Sequence, residues 1–135
     1  MARQARHDPQ RTVFCGATMA YSRTVRAGDF IFLSGHTAVD ENGHIGLGDI
    51  RAQAELTFRK LEKTLATVGC TLADVVKTTV YLADPRDFLV MNQVFAEIFG
   101  AEAPTRTTIT ARPVLDTKIE IDAVAYKPEQ EPKRR

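Results

Sequence analysis

A single apolar stripe runs along the segment from Ile50 to Gly69 and predicts a long helix. Apolar side chains recur there at intervals of three and four residues, at positions Ala54, Phe58, Leu61, Leu65 and Val68. This spacing places them on one side of an α-helix, with charged residues on the remaining surface. Asp49 is suited to cap the start of the helix, and Gly69 is suited to end it. An amphipathic helix of this kind has to pack its apolar side against another layer of the fold.

Strand-forming segments lie on both sides of this helix. The segment from Asp29 to Val39 is rich in β-branched and aromatic residues, and the turn residues "DENG" follow it. Its unbroken apolar run, "FIFL", indicates burial on both faces. The preceding "MAYSRTVRAG" is expected to supply a partner strand. After the helix, "DVVKTTVYLAD" predicts another strand, which ends before Pro85.

A second helix and two more strands complete the predicted elements. Asp87 is expected to cap the helix "FLVMNQVFAEIFG", whose apolar residues again share one side. The final strands are predicted at about Thr105–Arg112 and Thr117–Tyr126, around a turn. In the second of them, "TKIEIDAVAY" alternates, and Glu120 belongs to its polar set. Arg106 and Glu120 would lie on successive strands, where a cross-strand ion pair is one interpretation.

The order β(β)–α–β–α–β–β predicts an α+β fold in which two helices cover one face of a mostly antiparallel sheet. A chain of 135 residues fits one domain, which we place at residues 12–127 between flexible tails at 1–11 and 128–135. The other sheet face has no helix to cover it. Assembly with further copies of the chain would bury that face.

Composition argues against several classes of protein. The formal net charge of +1 argues against a dedicated nucleic-acid binder, and no apolar run is long enough to span a membrane. Cys15 and Cys70 are the two cysteines, and without a CxxC motif they exclude a disulfide scaffold or a standard zinc site. We expect both to be buried free thiols in a cytoplasmic protein.

Common catalytic motifs are absent, which leaves a short set of polar candidates. "GLGD" lacks the lysine of a phosphate-binding loop, and "SGH" lacks the second glycine frame of a nucleophile elbow. His36 is interpreted as a packed or hydrogen-bonded histidine. Arg106 is either a surface cation at a sheet edge or a planar donor that holds a carboxylate. The polar residues in positions that favour apolar ones are Tyr21, Ser34, Asn92, Arg106 and Glu120.

Several short motifs occur together in a characteristic order. They are "SG" after an apolar strand, "DVVKTTVYL", "DF…N", "P-x-R" and "IEI". In this order and spacing, the chain resembles the Rid (YjgF-type) family of reactive intermediate deaminases from about Ala20 to Ala125. The resemblance implies a chorismate-mutase-like fold and a homotrimer with clefts between its subunits. It also implies hydrolysis of enamines and imines of the 2-aminoacrylate/2-iminopropanoate type to a 2-keto acid and ammonia, without a metal or cofactor.

The resemblance also implies roles for individual residues. Arg106 matches the arginine that binds the substrate carboxylate, and Glu120 matches the acid associated with the attacking water, so both are expected to be catalytic. The residues expected to bind substrate are Tyr21, Ser34, Gly35, Asn92, Arg106, Thr107 and Thr108.

Three departures from the family pattern affect the expected specificity. His36 stands where many members have glutamine, Thr108 stands where many have cysteine, and the turn after "ARP" is one residue shorter than in the best-known members. Three other functions stay open as alternatives. They are a pathway-specific deaminase of the 2-aminomuconate type, an RNA-acting protein of the endoribonuclease kind, and a ligand-binding trimer without turnover.

Overall fold

In the computed structural model, which describes residues 5–130, two helices lie against one face of a six-stranded sheet. The strands are β1 (Arg6–His7), β2 (Val13–Phe14), β3 (Ala17–Thr18), β4 (Thr24–Ala27), β5 (Phe30–Thr37), β6 (Val75–Leu82), β7 (Thr105–Thr110) and β8 (Ile119–Tyr126). The helices are α1 (Ile50–Ala66) and α2 (Phe88–Phe99), and short 3-10 turns lie at Leu72–Asp74, Pro85–Asp87 and Gly100–Glu102.

The sheet has the strand order β1-β4-β5-β8-β6-β7, and β2 and β3 form a separate hairpin. All neighbouring strands in the sheet are antiparallel except β6 and β7, which are parallel and joined through α2. Two helices with a mostly antiparallel sheet confirm the predicted α+β class.

The predicted pairing of the last two strands is wrong, because β6 lies between β8 and β7. A helix connection between β6 and β7 places β7 beside β6 in parallel, as such crossovers do. The segment of residues 111–118 then carries the chain past β6, so that β8 pairs with both β5 and β6. Arg106 and Glu120 are therefore not on paired strands, which removes the cross-strand ion pair.

One row of side chains on β8 forms the centre of the core. Ile119, Ile121, Ala123 and Ala125 are between 0% and 2% exposed, as the alternating pattern predicted. Helix α1 covers them with its predicted stripe, in which Ala54, Phe58, Leu61 and Leu65 are buried. Phe58 also contacts Phe95 and Phe99 of α2, with ring centroids 6.0 and 5.7 Å apart. These aromatic edges join the two helices into one layer.

The opposite face of the sheet is open in the single chain. The predicted burial of "FIFL" on both faces is wrong here, because Phe30 and Phe32 are 44% and 47% exposed while Ile31 and Leu33 are buried. A strand sends alternate side chains to opposite faces, and the helices cover only one of them. Tyr126 packs on Phe30 at a ring distance of 5.3 Å and is also exposed. The open face thus carries large apolar side chains.

The two helices begin differently. Asp49 caps α1 as predicted, because its Oδ1 accepts a hydrogen bond of 2.9 Å from the Ala52 amide. Asp87 does not cap α2 through its side chain. A 3-10 turn at Pro85–Asp87 precedes the helix, and the Asp84 carboxylate accepts from the Arg86 amide instead. The extra turn moves the cap three residues towards the N-terminus.

The described part of the predicted N-terminal tail is attached to the sheet. Arg6 and His7 pair with β4, and the Asp8 carboxylate accepts a hydrogen bond of 2.9 Å from Arg23 Nε. At the other end, the Lys127 amide donates to Asp29 O. The outer parts of both predicted tails, residues 1–4 and 131–135, lie outside the described residues. Within residues 5–130, no helix has the length and apolar character needed to cross a membrane.

Candidate active site

Arg106 lies on β7 at the edge of the sheet and points to the helix-covered face. Its partner on β6 is Thr78, which is buried on that face. The guanidinium Nη1 donates to Asn92 Oδ1 at 3.0 Å. Its central carbon stands 4.7 Å from the ring centroid of Phe95 and 5.6 Å from that of Phe88. The structure therefore brings the predicted residues Arg106 and Asn92 together.

Helix α2 supplies all three of these contacts, because the three side chains recur at helical intervals along it. Phe88, Asn92 and Phe95 are at positions i, i+4 and i+7, so they form one row above β7. Phe88 and Phe95 were expected only to belong to the apolar side of the helix. Their spacing from Asn92 is the sequence signal that connects them with the arginine.

Arg106 has no carboxylate partner among residues 5–130. The described ion pairs involve other arginines, His44 or Lys127. The hydrogen bond to Asn92 uses one of the five N–H donors of Arg106. Ring faces and a neutral amide hold the guanidinium without neutralising its charge. The remaining N–H donors of such an arginine can form charge-assisted hydrogen bonds with an anion.

Glu120 lies on the central strand β8 and points to the open face. It is opposite Tyr81 on β6 and Thr37 on β5. Its carboxylate rests against the backbone of Gly35, where an added Cβ would stand 2.8 Å from Glu120 Oε2. Glycine therefore leaves room for the carboxylate, which any larger side chain would displace. The predicted residues Gly35 and Glu120 are thus in direct contact.

The surroundings of Glu120 favour its protonated form. Burial raises the pKa of the Glu120 carboxyl, and the negative charge of Asp122 on the same strand raises it further. Tyr81 donates its hydroxyl to Asp122 Oδ2 at 3.1 Å. Burial, followed by this bond to Asp122, raises the pKa of the Tyr81 phenol. A carboxyl with a raised pKa binds a proton more readily than an ordinary glutamate, which suits it to a general acid–base role.

Ser34 and Tyr21 lie beside the strand end that carries Gly35. The Ser34 hydroxyl donates to Ser22 O at 2.7 Å, and the Ser34 amide donates to Arg23 O. This places Ser34 against the segment that follows Tyr21, whose side chain is 43% exposed. Tyr21 itself makes no described hydrogen bond to the other candidates.

Thr107 and Thr108 are separated by the alternation of β7. Thr108 shares the face of Arg106, whereas Thr107 pairs with Thr79 and points to the open face. Beside Thr108 and Phe88 is an open depression of about 260 Å³. The residues that line it are Leu82, Pro85, Phe88, Thr108, Ile109 and Thr110.

His36 is a hydrogen-bonded histidine, as predicted. Its Nδ1 is 2.7 Å from Ser34 O, and its Nε2 is 2.8 Å from Thr64 Oγ1 on helix α1. Burial is the main reason that the pKa of His36 falls from 6.5 to about 4. The imidazole is therefore neutral at physiological pH.

The two cysteines occupy different environments. Cys70 is buried, and burial raises the pKa of its thiol. Cys15 is exposed, so the prediction that it is buried is wrong. It lies with Gly16 in the two-residue turn between β2 and β3, where both have positive φ angles of 51° and 76°, typical of a tight hairpin turn. Among residues 5–130, no three His, Cys, Asp or Glu side chains are grouped to hold a metal ion.

Comparisons with known proteins agree on one family. The family model described as Endoribonuclease L-PSP matches residues 13–127. A RutC family protein of Pyrococcus horikoshii is 41% identical over 109 residues, which cover 79% of this chain and 86% of that protein. The human 2-iminobutanoate/2-iminopropanoate deaminase is 34% identical over 115 residues, which cover 83% of each chain.

A solved structure supports the same assignment. The crystal structure of RidA from the Antarctic bacterium Psychrobacter sp. PAMC 21119 matches with a TM-score of 0.76 at 31% identity. The match covers 82% of this chain and 90% of that one. Family model, relatives and structure all extend over most of the chain. On these grounds the chain belongs to the YjgF/RidA family, whose model bears the description Endoribonuclease L-PSP.

Proposed function

We propose that this protein hydrolyses reactive enamines and imines of amino acids, such as 2-aminoacrylate and 2-iminopropanoate, to 2-keto acids and ammonia. The observation that carries the proposal is the Arg106 guanidinium, held by Asn92 and Phe95 and without a carboxylate partner among the described residues. The name of the human relative, 2-iminobutanoate/2-iminopropanoate deaminase, supports the same reaction class.

Arg106 would bind the substrate carboxylate through two parallel N–H···O bonds. A planar guanidinium matches the two oxygens of a carboxylate, and this two-point contact also sets the direction from which water approaches. Because Asn92 and the ring of Phe95 already orient the guanidinium, little side-chain freedom is lost when the substrate binds.

Glu120 would act as the general acid–base group of the hydrolysis. The enamine first tautomerises to an imine, whose carbon is electrophilic. Water attacks this carbon, and Glu120 orients the water or carries the proton that the water loses. The resulting carbinolamine collapses to the keto acid and ammonia. Burial, and then the charge of Asp122, raises the pKa of the Glu120 carboxyl, which makes it a better proton acceptor than an exposed glutamate. One positioned acid–base group contributes roughly 10²–10⁴-fold to the rate.

We further propose that the site lies between subunits of a chorismate-mutase-like homotrimer. Arg106 points to the helix-covered face and Glu120 to the open face, so a neighbouring chain is needed to bring the two groups to one substrate. The open face also carries exposed Phe30, Phe32 and Tyr126, which association would bury.

The test is coupled release of ammonia and keto acid from enamines generated in situ from several parent amino acids. Turnover above the spontaneous rate in water, lost in Arg106→Ala, supports the proposal. A rate equal to the spontaneous rate for every substrate, with a trimer confirmed by light scattering, would contradict it. Incubation with single-stranded RNA addresses the endoribonuclease description of the family model. RNA cleavage without imine turnover would favour that activity instead.

A further inference from the structure

One inserted residue interrupts the pairing of β5 with β8, next to the proposed catalytic acid. Leu33 pairs with Ala123, and His36 pairs with Ile121. Between these two pairs, β5 advances by three residues and β8 by only two. This is a β-bulge, and a bulge changes the face to which the following side chain points. His36 therefore points to the helix layer beside Ile121, while Gly35 lies under the Glu120 carboxylate.

His36 connects the bulge to helix α1 through two hydrogen bonds. Ser34 O is a carbonyl oxygen and can only accept, so Nδ1 carries the proton and donates to it at 2.7 Å. Nε2 is then the acceptor for the Thr64 hydroxyl at 2.8 Å. Thr64, His36 and Ser34 form a chain of hydrogen bonds, here called the relay. The Thr64 hydroxyl donates to His36 Nε2, and His36 Nδ1 donates to Ser34 O.

The relay depends on a neutral imidazole, and its surroundings keep it neutral. Burial lowers the pKa of His36, and the positive charges of Lys60 on α1 and Arg23 beside β4 lower it further. Lys60 Nζ also donates to Thr37 O at 2.7 Å. Helix α1 thus holds the end of β5 at two adjacent points, one of them through His36.

We propose that His36 is a positioning residue for Glu120, an inference that rests on the function proposed above. The relay fixes the position of the Ser34–Gly35 bulge. Because Gly35 has no side chain, the Glu120 carboxylate lies against the backbone of the bulge. The other titratable groups facing that carboxylate are Asp122 on β8 and Tyr81 on β6. His36 points to the helix layer, away from the open face that carries Glu120, and acts through the backbone of Gly35.

Four variants separate this role from simple packing. His36→Leu removes both hydrogen bonds, and His36→Gln keeps one donor and one acceptor on a side chain of similar reach. Thr64→Val removes only the hydroxyl that donates to Nε2. Thr57→Val is the matched control, since Thr57 is also buried on α1 but donates to Gln53 O within the helix.

We expect His36→Leu to lower kcat by roughly 10- to 100-fold with KM little changed, as for a catalytic group displaced by a fraction of an ångström. Thr64→Val should lower kcat by a smaller factor, also with KM little changed. His36→Gln should retain most of the wild-type activity. Thr57→Val should keep the wild-type kcat. If His36→Leu does not fold, the comparison of Thr64→Val with Thr57→Val carries the test.

A second readout does not depend on activity. The Glu120 carboxyl carbon, labelled with ¹³C, is titrated by NMR in the wild type and in each variant. Loosening the bulge admits water to the carboxyl, so the pKa of Glu120 should fall in His36→Leu and Thr64→Val and stay unchanged in Thr57→Val.

The outcomes distinguish a failure of the positioning role of His36 from a failure of the proposed deaminase activity. Variants that melt earlier but keep the wild-type kcat, pH profile and Glu120 titration would overturn it, and His36 would then contribute to stability only. Equal effects of Thr64→Val and Thr57→Val would also overturn it. A wild type without deaminase activity in which the Glu120 titration still shifts as expected would disprove the function and leave the positioning role standing.

Discussion

Arg106 and Glu120 project from opposite faces of the same sheet. Arg106 shares the face of buried Thr78 and packs on Phe95, whereas Glu120 is opposite Tyr81 on the open face. Side chains on opposite faces are separated by the backbone layer of the sheet. One substrate can contact both only if the second group comes from another chain.

A shared site predicts complementation between two inactive variants. Arg106→Ala and Glu120→Gln should each be inactive alone, because each lacks one of the two groups at every site. In trimers formed by co-refolding equal amounts, about a quarter of the sites combine an intact arginine with an intact glutamate. Ammonia release should recover to about that fraction of the wild-type rate. No recovery in trimers shown by mass spectrometry to be mixed would place the site within one chain.

Substitutions of Arg106 should damage activity in a graded manner. Arg106→Lys keeps the charge but loses the planar two-point contact, and Arg106→Ala loses both. We expect the alanine variant to lose about 2–5 kcal/mol of transition-state binding, and the lysine variant to lose a clear part of this. Loss of the contact with Phe95 should lower the free energy of unfolding by only about 1 kcal/mol. Steady-state kinetics and denaturant melts on the same samples test both statements, and a large loss of stability with normal kcat/KM would refute them.

Gly35→Ala should reduce activity while leaving the fold intact. The added Cβ would stand 2.8 Å from Glu120 Oε2, the far end of a flexible side chain that can move aside at little cost. Gly46→Ala is the contrasting control. Gly46 has a φ of +66°, and a Cβ there would stand 2.4 Å from the backbone oxygen of Asp116. This second variant should lower the melting temperature, and a lower melting temperature for Gly35→Ala at normal turnover would contradict the assignment.

Stability should fall in mild acid because of His36. Its pKa is about 4 in the folded chain, below the ordinary value of 6.5, so the unfolded chain binds more protons between these values. The free energy of unfolding therefore decreases as the pH falls from 6.5 to about 4, by up to about 3 kcal/mol from this group. Denaturant melts of His36→Gln should show a flatter profile over this range, and parallel profiles for both proteins would contradict the prediction.

The elements of the fold could be predicted because each depends on local periodicity. The stripe of α1, the cap at Asp49 and the alternation of β8 need only nearby residues to be recognised. The strand order could not be predicted in this way. Whether β7 lies beside β8 or beside β6 depends on contacts far apart in sequence, and the shorter link in sequence suggested the wrong pair.

The sequence indicated candidate site residues one at a time but not their arrangement. Contacts between Arg106 and Asn92 and between Gly35 and Glu120 depend on the α2 crossover and on the β5 bulge. A one-residue bulge changes every later side-chain direction, and the glycine in "FLSGHT" is consistent with a bulge but does not fix the register. The catalytic and binding roles themselves stay predictions until the variants are measured.

The position of β8 also determines when this chain can fold. Among residues 5–130, β8 follows all the other strands in sequence, yet it fills the centre of the sheet between β5 and β6. During synthesis, both of those strands present unpaired edges until Tyr126 has left the ribosome, and unpaired edges favour association with other chains. Closing the sheet requires contacts between residues far apart in sequence, which slows folding. A shortened product that ends before Ile119 would therefore lack a sheet that can close, so β8 decides whether the chain folds or becomes a substrate for chaperones and proteases.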